Sequence, residues 1–273
     1  MEDFVAPRIN WLPKTANMKA IVEALNLKIK DFVFIDDRPD ELERMRNAFP
    51  ELVALDATQE ATWDLLAHWA GNLASAMEED RTQLYHERAA RDQFLSVAPP
   101  GAGPEDETAA FTSLGLEVKI EMVEGKTLKR VVELINRTNQ FNLAGSRTTM
   151  AEEEKGLGKD HFILTASAKD KFGSMGIVGV ARVNLKPDAL EIPIFVLSCR
   201  VFGFGIEYAL LNAIKIFARS PDEPVVGLYK ETQANAPGRD FYAKAGLART
   251  GDAWKGRLSE LRASPEWLTI HAA

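Results

Sequence analysis

Two adjacent carboxylates, Asp36 and Asp37, end the apolar run of "FVFIDDRPDE" just before a proline turn. Acids in that position are either strand-end and loop acids or oxygen ligands for a hard cation. Clustered carboxylates suit Mg²⁺, which relieves their mutual repulsion, and open α/β sheets gather ligands at the carboxyl ends of their strands. In "RVFGFG", residues 200–205, Gly203 and Gly205 stand where a strand feeds a helix, next to Arg200. Unencumbered backbone N–H groups at a helix N-terminus can hold a pyrophosphate without any side chain. The stretch "NRTNQFNLAGSRTT", residues 136–149, carries the amides Asn136, Asn139, Gln140 and Asn142 with Arg137 and Arg147. A helix C-cap and polar loop account for Asn139 and Gly145. Four amides around Phe141 equally suit recognition of amides, hydroxyls or phosphate oxygens. Cys199 is either a nucleophile or a small residue at a strand end, and the four histidines form no metal-ligand spacing.

These residues need elements to position them. The first segment reads as helix Thr15 to Lys28, strand "DFVFIDD", helix "PDELERMRNAF" and strand "ELVALD". Alternating helix and strand indicates a parallel α/β sheet, but two strands are too few to stand alone. A charged helical region follows from Thr58 to Phe94, and then "SVAPPGAGPEDET" breaks the pattern with the densest Pro and Gly of the chain, as a linker does. Beyond it "LEVKIEMV" alternates as a strand, "KTLKRVVELINRTN" as a helix, and three strand-like runs are separated by "KFG" and "KPD" turns. The glycine-containing turn leads into an amphipathic helix, then strand "PVVGLYK", a short helix ending at Gly246, and a last strand, "LARTGDAWKGRL". The expected organisation is an α/β Rossmannoid segment over residues 1–70, a helical connector and linker over 71–107, and an α+β domain over 108–273.

Composition limits the partners. With 46% hydrophobic and 27% charged residues the chain is globular, and a net charge of -7 leaves no basic surplus for nucleic acid. A single cysteine forbids an intramolecular disulfide, so the cytoplasm is the default location. No secretory signal, membrane-length apolar run or solenoid-period repeat is visible, so no membrane partner is expected.

The spacing Arg200-x-x-Gly203-x-Gly205 resembles the pyrophosphate loop of the GNAT acyltransferases. Downstream, "YKETQANAPGRDFYAKAGL" resembles that family's second coenzyme element, with Asn235, Phe241, Tyr242 and Gly246 at the matching places. The resemblance implies a GNAT-like fold for residues 108–273 and binding of acyl-CoA through Arg200, Gly203, Gly205, Asn235 and Tyr242.

Read in order, "INWLPK", "FVFIDDRPDE", "RTNQFNLAGSR", "KDKFGSMGIVGV", "SCRVFGFGIE" and "DFYAKAG" resemble the successive motifs of the FkbH-like proteins. That family joins a haloacid-dehalogenase (HAD) domain of subfamily IIIC to a GNAT-like domain. Six collinear matches from Ile9 to Gly246 carry this resemblance; Arg38 and Asp40 depart from the usual pattern. It implies that Lys14 stabilises a phosphoryl group and its aspartate partner and that Asp36 and Asp37 hold Mg²⁺; Asn139, Gln140 and Asn142 are the substrate contacts expected from their residue types. The implied reaction moves a glyceryl-type acyl unit from a phosphorylated donor to the phosphopantetheine thiol of an acyl carrier protein. The family's Asp-x-Asp-x-Thr nucleophile motif and its second-motif Ser lie ahead of the lysine, and the 13 residues before Lys14 contain neither. The chain therefore resembles the C-terminal half of such a protein. It is expected to need further sequence or a separate subunit supplying the missing HAD half. Two alternatives are a GNAT-type N-acyltransferase using acetyl-CoA and a noncatalytic docking module for an acyl carrier protein.

Overall fold

The computed structural model describes residues 4–25, 27–74, 81–96, 104–251 and 253–272. The linker stretch 97–103 lies outside the described residues. The chain forms two compact units, Met1–Gln93 and Phe94–Ala273.

The first unit contains α1 (Lys14–Leu25), β1 (Val33–Asp36), α2 (Pro39–Ala48), β2 (Val53–Asp56), α3 (Glu60–Ala74) and most of α4 (Arg81–Ser96). Pro39 opens α2 with Asp40 and Glu41 in its first turn and Arg46 in its last, each charge matched to the helix dipole. β1 and β2 pair in parallel, Val33 opposite Val53 and Asp36 opposite Asp56. Met18, Met45 and Leu52 form the small core of this unit. Val33 and Val53 are exposed, so the sheet buries its apolar side chains incompletely.

The second unit starts with α5 (Pro104–Leu114), which sequence periodicity did not separate from the linker. It continues with β3 (Glu117–Met122), α6 (Gly125–Arg137), α7 (Met150–Gly156), β4 (His161–Asp170), β5 (Gly173–Leu185) and β6 (Leu190–Leu197). Then come α8 (Ile206–Ala213), β7 (Pro224–Leu228), α9 (Phe241–Lys244), β8 (Ala248–Thr250), β9 (Ala253–Arg257) and β10 (Thr269–Ala272). The single final strand expected at "LARTGDAWKGRL" is a hairpin, β8 and β9, because Gly251 turns at φ 64°. Helix α6 buries Leu128, Val131, Val132 and Ile135, spaced three and four apart, against the sheet. Helix α7 begins on a capping box: the Thr149 hydroxyl accepts the Glu152 N–H, and the Glu152 carboxylate accepts the Thr149 N–H at 2.7 Å.

The eight strands run in the order β10-β3-β4-β5-β6-β7-β9-β8. β3 through β6 are antiparallel neighbours, whereas β6 and β7 are parallel and are joined across helix α8. Their pairing is short, with only Leu190, Ile192 and the residue between them matched to Val225–Gly227. From Pro193 onward β6 parts from β7, leaving a wedge that opens toward the 200–205 turn. Open α/β sheets place ligands where neighbouring strands diverge at their carboxyl ends.

Candidate functional site

The site is built around that wedge. β6 ends at Leu197 and the chain passes through a 3₁₀ turn, Cys199–Val201, into the glycines. Gly203 has φ +86° and Gly205 φ +80°, the left-handed region that excludes most side chains. Gly205 is further fixed by its surroundings, since a Cβ there would lie 2.5 Å from Pro265 Cγ. The Trp267 indole N–H donates to the Phe204 carbonyl at 2.9 Å and holds the same turn from outside. Among the described residues, the amides of Gly203 and Gly205 donate to no backbone carbonyl. The amides of Ile206 and Glu207 begin α8 and have no intrahelical acceptor. Arg200 stands beside this row, its Nε donating to Ser198 Oγ at 3.2 Å.

Tyr242 lies at the base of the wedge. Its ring packs on Gly227 of β7, where a Cβ would come within 2.3 Å, and sits 6.4 Å from the ring of Phe195 on β6. The hydroxyl is buried without a hydrogen-bond partner, and burial pushes its pKa far up, so it is a neutral donor. Glu207, in the first turn of α8, is half-buried, and its Oε2 is buried without a hydrogen-bond partner. Burial raises its pKa, and the hydrogen bond that the carboxylate accepts from its own backbone N–H, with the charges of Arg262 and Lys244, offsets this only in part. Glu191, another carboxylate in this unit, accepts a hydrogen bond from Asn184 at 2.8 Å.

Several residues chosen from the sequence have other employment. Asn235 is fully buried, and its Nδ2 donates to the carbonyls of Asn142 at 3.0 Å, Leu143 at 3.3 Å and Lys230 at 2.9 Å. Its Oδ1 accepts the Thr232 N–H at 2.9 Å, so the side chain is consumed by the protein's own backbone. Asn142 is likewise buried: Nδ2 donates to Ser146 O at 2.8 Å and Oδ1 accepts the Ser146 N–H at 3.0 Å. Neither amide is free to read a ligand. Arg147 donates to the carbonyls of Ile135, Thr138 and Ser146 and so caps the C-terminus of α6. Asn139 and Gln140 are exposed, and the Asn139 carbonyl oxygen accepts from Arg147. A cavity of about 280 Å³ separates Asn139 and Arg147 from Thr232 and Gln233. The signal missed in the sequence is Gly227, whose smallness is what lets Tyr242 lie against β7.

In the first unit Lys14 pairs with Asp36 across 22 residues of chain, in the wall of a cavity of about 560 Å³. Asp36 Oδ1 also accepts the Arg38 N–H at 3.1 Å. Burial raises the Asp36 pKa, but the hydrogen bonds from Lys14 and Arg38 and their charges outweigh it and hold the carboxyl below its usual value. Asp37 is exposed. Both oxygens of Asp36 are thus engaged, and among the described residues no three His, Cys, Asp or Glu side chains gather as a metal site. The residues present do not fit the expected Mg²⁺ centre, and the adjacency of Asp36 and Asp37 is not a pairing in space: successive residues of a strand end point apart.

No family model matches the chain, and no curated protein sequence matches it. Solved structures similar to it include an acetyltransferase of the GNAT family from Desulfovibrio desulfuricans, 16% identical, with TM-score 0.39, over 52% of this chain and 99% of that one. The ribosomal-protein-S18-alanine N-acetyltransferase from Escherichia coli is 13% identical, with TM-score 0.39, over 55% of this chain and 97% of that one. The PaiA N-acetyltransferase from Thermoplasma acidophilum, solved with coenzyme A, is 14% identical, with TM-score 0.37, over 51% and 98%. Each of these likenesses spans about half of this chain and nearly all of the other. Among the described residues no helix is long and apolar enough to cross a membrane.

Proposed function

We propose that the second unit is a GNAT-type acyltransferase module whose acyl donor is linked through phosphopantetheine, as in acyl-CoA. The observation that carries this is the row of amides at Gly203, Gly205 and Ile206, which donate to no backbone carbonyl and are presented by two left-handed glycines at the mouth of a strand wedge. Such a row suits a pyrophosphate by geometry and by the helix dipole. Arg200 would add a guanidinium to the same anion. A bound donor would supply an activated thioester carbonyl. The Tyr242 hydroxyl, neutral and unpartnered between β6 and β7, has a proton for an oxygen or sulfur placed there. Binding of CoA to the full chain by titration calorimetry tests the proposal. Gly203→Pro, which cannot adopt a positive φ and has no N–H, is expected to lose at least tenfold in affinity. Unchanged affinity in that variant would remove the turn from the site.

A second, finer proposal is favoured by the Lys14–Asp36 pair in the cavity wall of the first unit. The FkbH-like resemblance implies a phosphoryl-stabilising lysine at Lys14, and Asp36 fixes that ammonium in the cavity wall. In that case the acceptor is the phosphopantetheine thiol of an acyl carrier protein and the acyl group is glyceryl-like. A noncatalytic role in docking the carrier protein would use the same surface without turnover. Mass spectrometry of a holo carrier protein incubated with the full chain and an acyl donor separates these. Loading supports the carrier-protein acceptor, binding without loading supports docking, and transfer to small amines instead supports an N-acyltransferase.

A further inference from the structure

The wedge between β6 and β7 is not open. The segment Phe141–Leu143 runs through it, Asn142 forming a single antiparallel bridge with Val196. The Leu143 N–H donates to Phe195 O at 3.1 Å and the Leu197 N–H donates to Phe141 O at 2.9 Å, which takes the edge of β6 that β7 has left. On the other side the Lys230 N–H donates to Leu143 O at 2.9 Å, just beyond the end of β7. The segment is pinned from its own loop by Asn142 and from across the wedge by Asn235, as described above. Its side chains are anchored as firmly. Phe141 packs on Phe195, Phe202 and Phe241, and Leu143 is fully buried against Gly238, where a Cβ would meet Leu143 Cδ2 at 2.7 Å.

An extended arm bearing amide groups binds a protein by adding itself to a free strand edge. A donor whose phosphates rest on residues 203–207 has its arm starting where β6 ends, so the nearest such edge is Phe195–Leu197. We infer that Phe141–Leu143 is a built-in strand occupying the place of the donor's arm, so that the folded chain holds the donor's phosphate end and excludes its arm until the segment withdraws. The inference rests on the proposed role of the 200–205 turn. It makes the density of amides in "RTNQFN" a latch: Asn142 and the distant Asn235 fasten the segment instead of reading a substrate. A donor selecting the rare withdrawn state binds with its affinity reduced by the fraction of molecules in that state.

The test compares two probes on the full chain by calorimetry: adenosine 3′-phosphate 5′-diphosphate, which is CoA without its arm and keeps the pyrophosphate, and CoA itself. The nucleotide is expected to bind, and CoA to bind no more than about threefold tighter, because its arm finds no edge. Leu143→Ala weakens the anchor and is expected to tighten CoA by about tenfold while leaving the nucleotide unchanged. If that variant does not fold, amide exchange on the unaltered chain decides: Leu143 and Leu197 are expected to be as protected as the core strands. CoA binding more than tenfold tighter than the nucleotide in the unaltered chain, or Leu143 exchanging like an exposed loop, overturns the inference. Binding of neither probe, with Leu143 and Leu197 protected, instead overturns the role given to the turn and leaves the built-in strand supported.

Discussion

Replacing Asn235 tests whether its side chain is a structural clamp. The amide ties three carbonyls and one N–H at a position with 0% exposure. In Asn235→Ala the carbonyls of Asn142 and Lys230 and the amide of Thr232 lose their partner in a place water reaches poorly. Each such loss costs about 1–3 kcal/mol, and neighbouring losses overlap, so the total is roughly 3–5 kcal/mol. Against a domain stability of about 5–15 kcal/mol this is a large fraction, and the melting temperature should fall by on the order of 10 °C. Asn235→Asp nearly preserves shape yet should be at least as damaging at neutral pH, because a carboxylate then faces three carbonyl oxygens. Protonating that Asp restores a donor, so the variant should regain stability as pH falls. Urea unfolding followed by circular dichroism at pH 7 and pH 4 measures both effects. A loss below about 1 kcal/mol in either variant at pH 7 refutes the clamp, since even one orphaned buried group would cost that much.

Gly227→Ala drives a methyl into the Tyr242 ring and is expected to cost about 1–3 kcal/mol, read as a lower urea midpoint; full stability would mean that Tyr242 does not lie on β7. Glu207 has a folded pKa raised above 4.5, so its native state binds the proton more tightly and stability falls as pH climbs from about 4.5 through the folded value. Glu207→Gln should therefore raise the melting temperature at pH 7 and have little effect at pH 4. For Asp36 the sign is opposite. Its depressed pKa gives stability that is present above the unfolded value and lost as pH falls through the folded one. Lys14→Met should move the Asp36 carboxyl titration upward in a carbon-detected NMR experiment; an unmoved titration would show that the ion pair is not formed.

What could be read from the sequence divides by range. The glycine turn was legible because Gly203 and Gly205 occupy positions where a strand must reverse into a helix, a requirement local to six residues. Helix α6 was legible for the same reason, its buried face being spaced at the helical period. The function of the amides was not. Asn142 and Asn235 look like ligand-reading groups, but their partners are backbone carbonyls, one of them 93 residues away. No spacing rule reports a bond of that length. Strand β10, paired in parallel with β3, was invisible because "TIHA" is too short to show a period and its partner lies at the other end of the unit. The Asp36–Asp37 pair illustrates the converse error: adjacency in sequence suggested a shared cation, whereas the strand turns one acid toward Lys14 and leaves the other in solvent.

An amide-resolved NMR titration of the full chain with adenosine 3′-phosphate 5′-diphosphate tests whether the 200–205 turn holds a pyrophosphate. The largest shifts are expected on Gly203, Gly205, Ile206 and Glu207, saturating together. Shifts confined to other parts of the chain, or none at ligand concentrations in the millimolar range, typical of weak ligands, would contradict it.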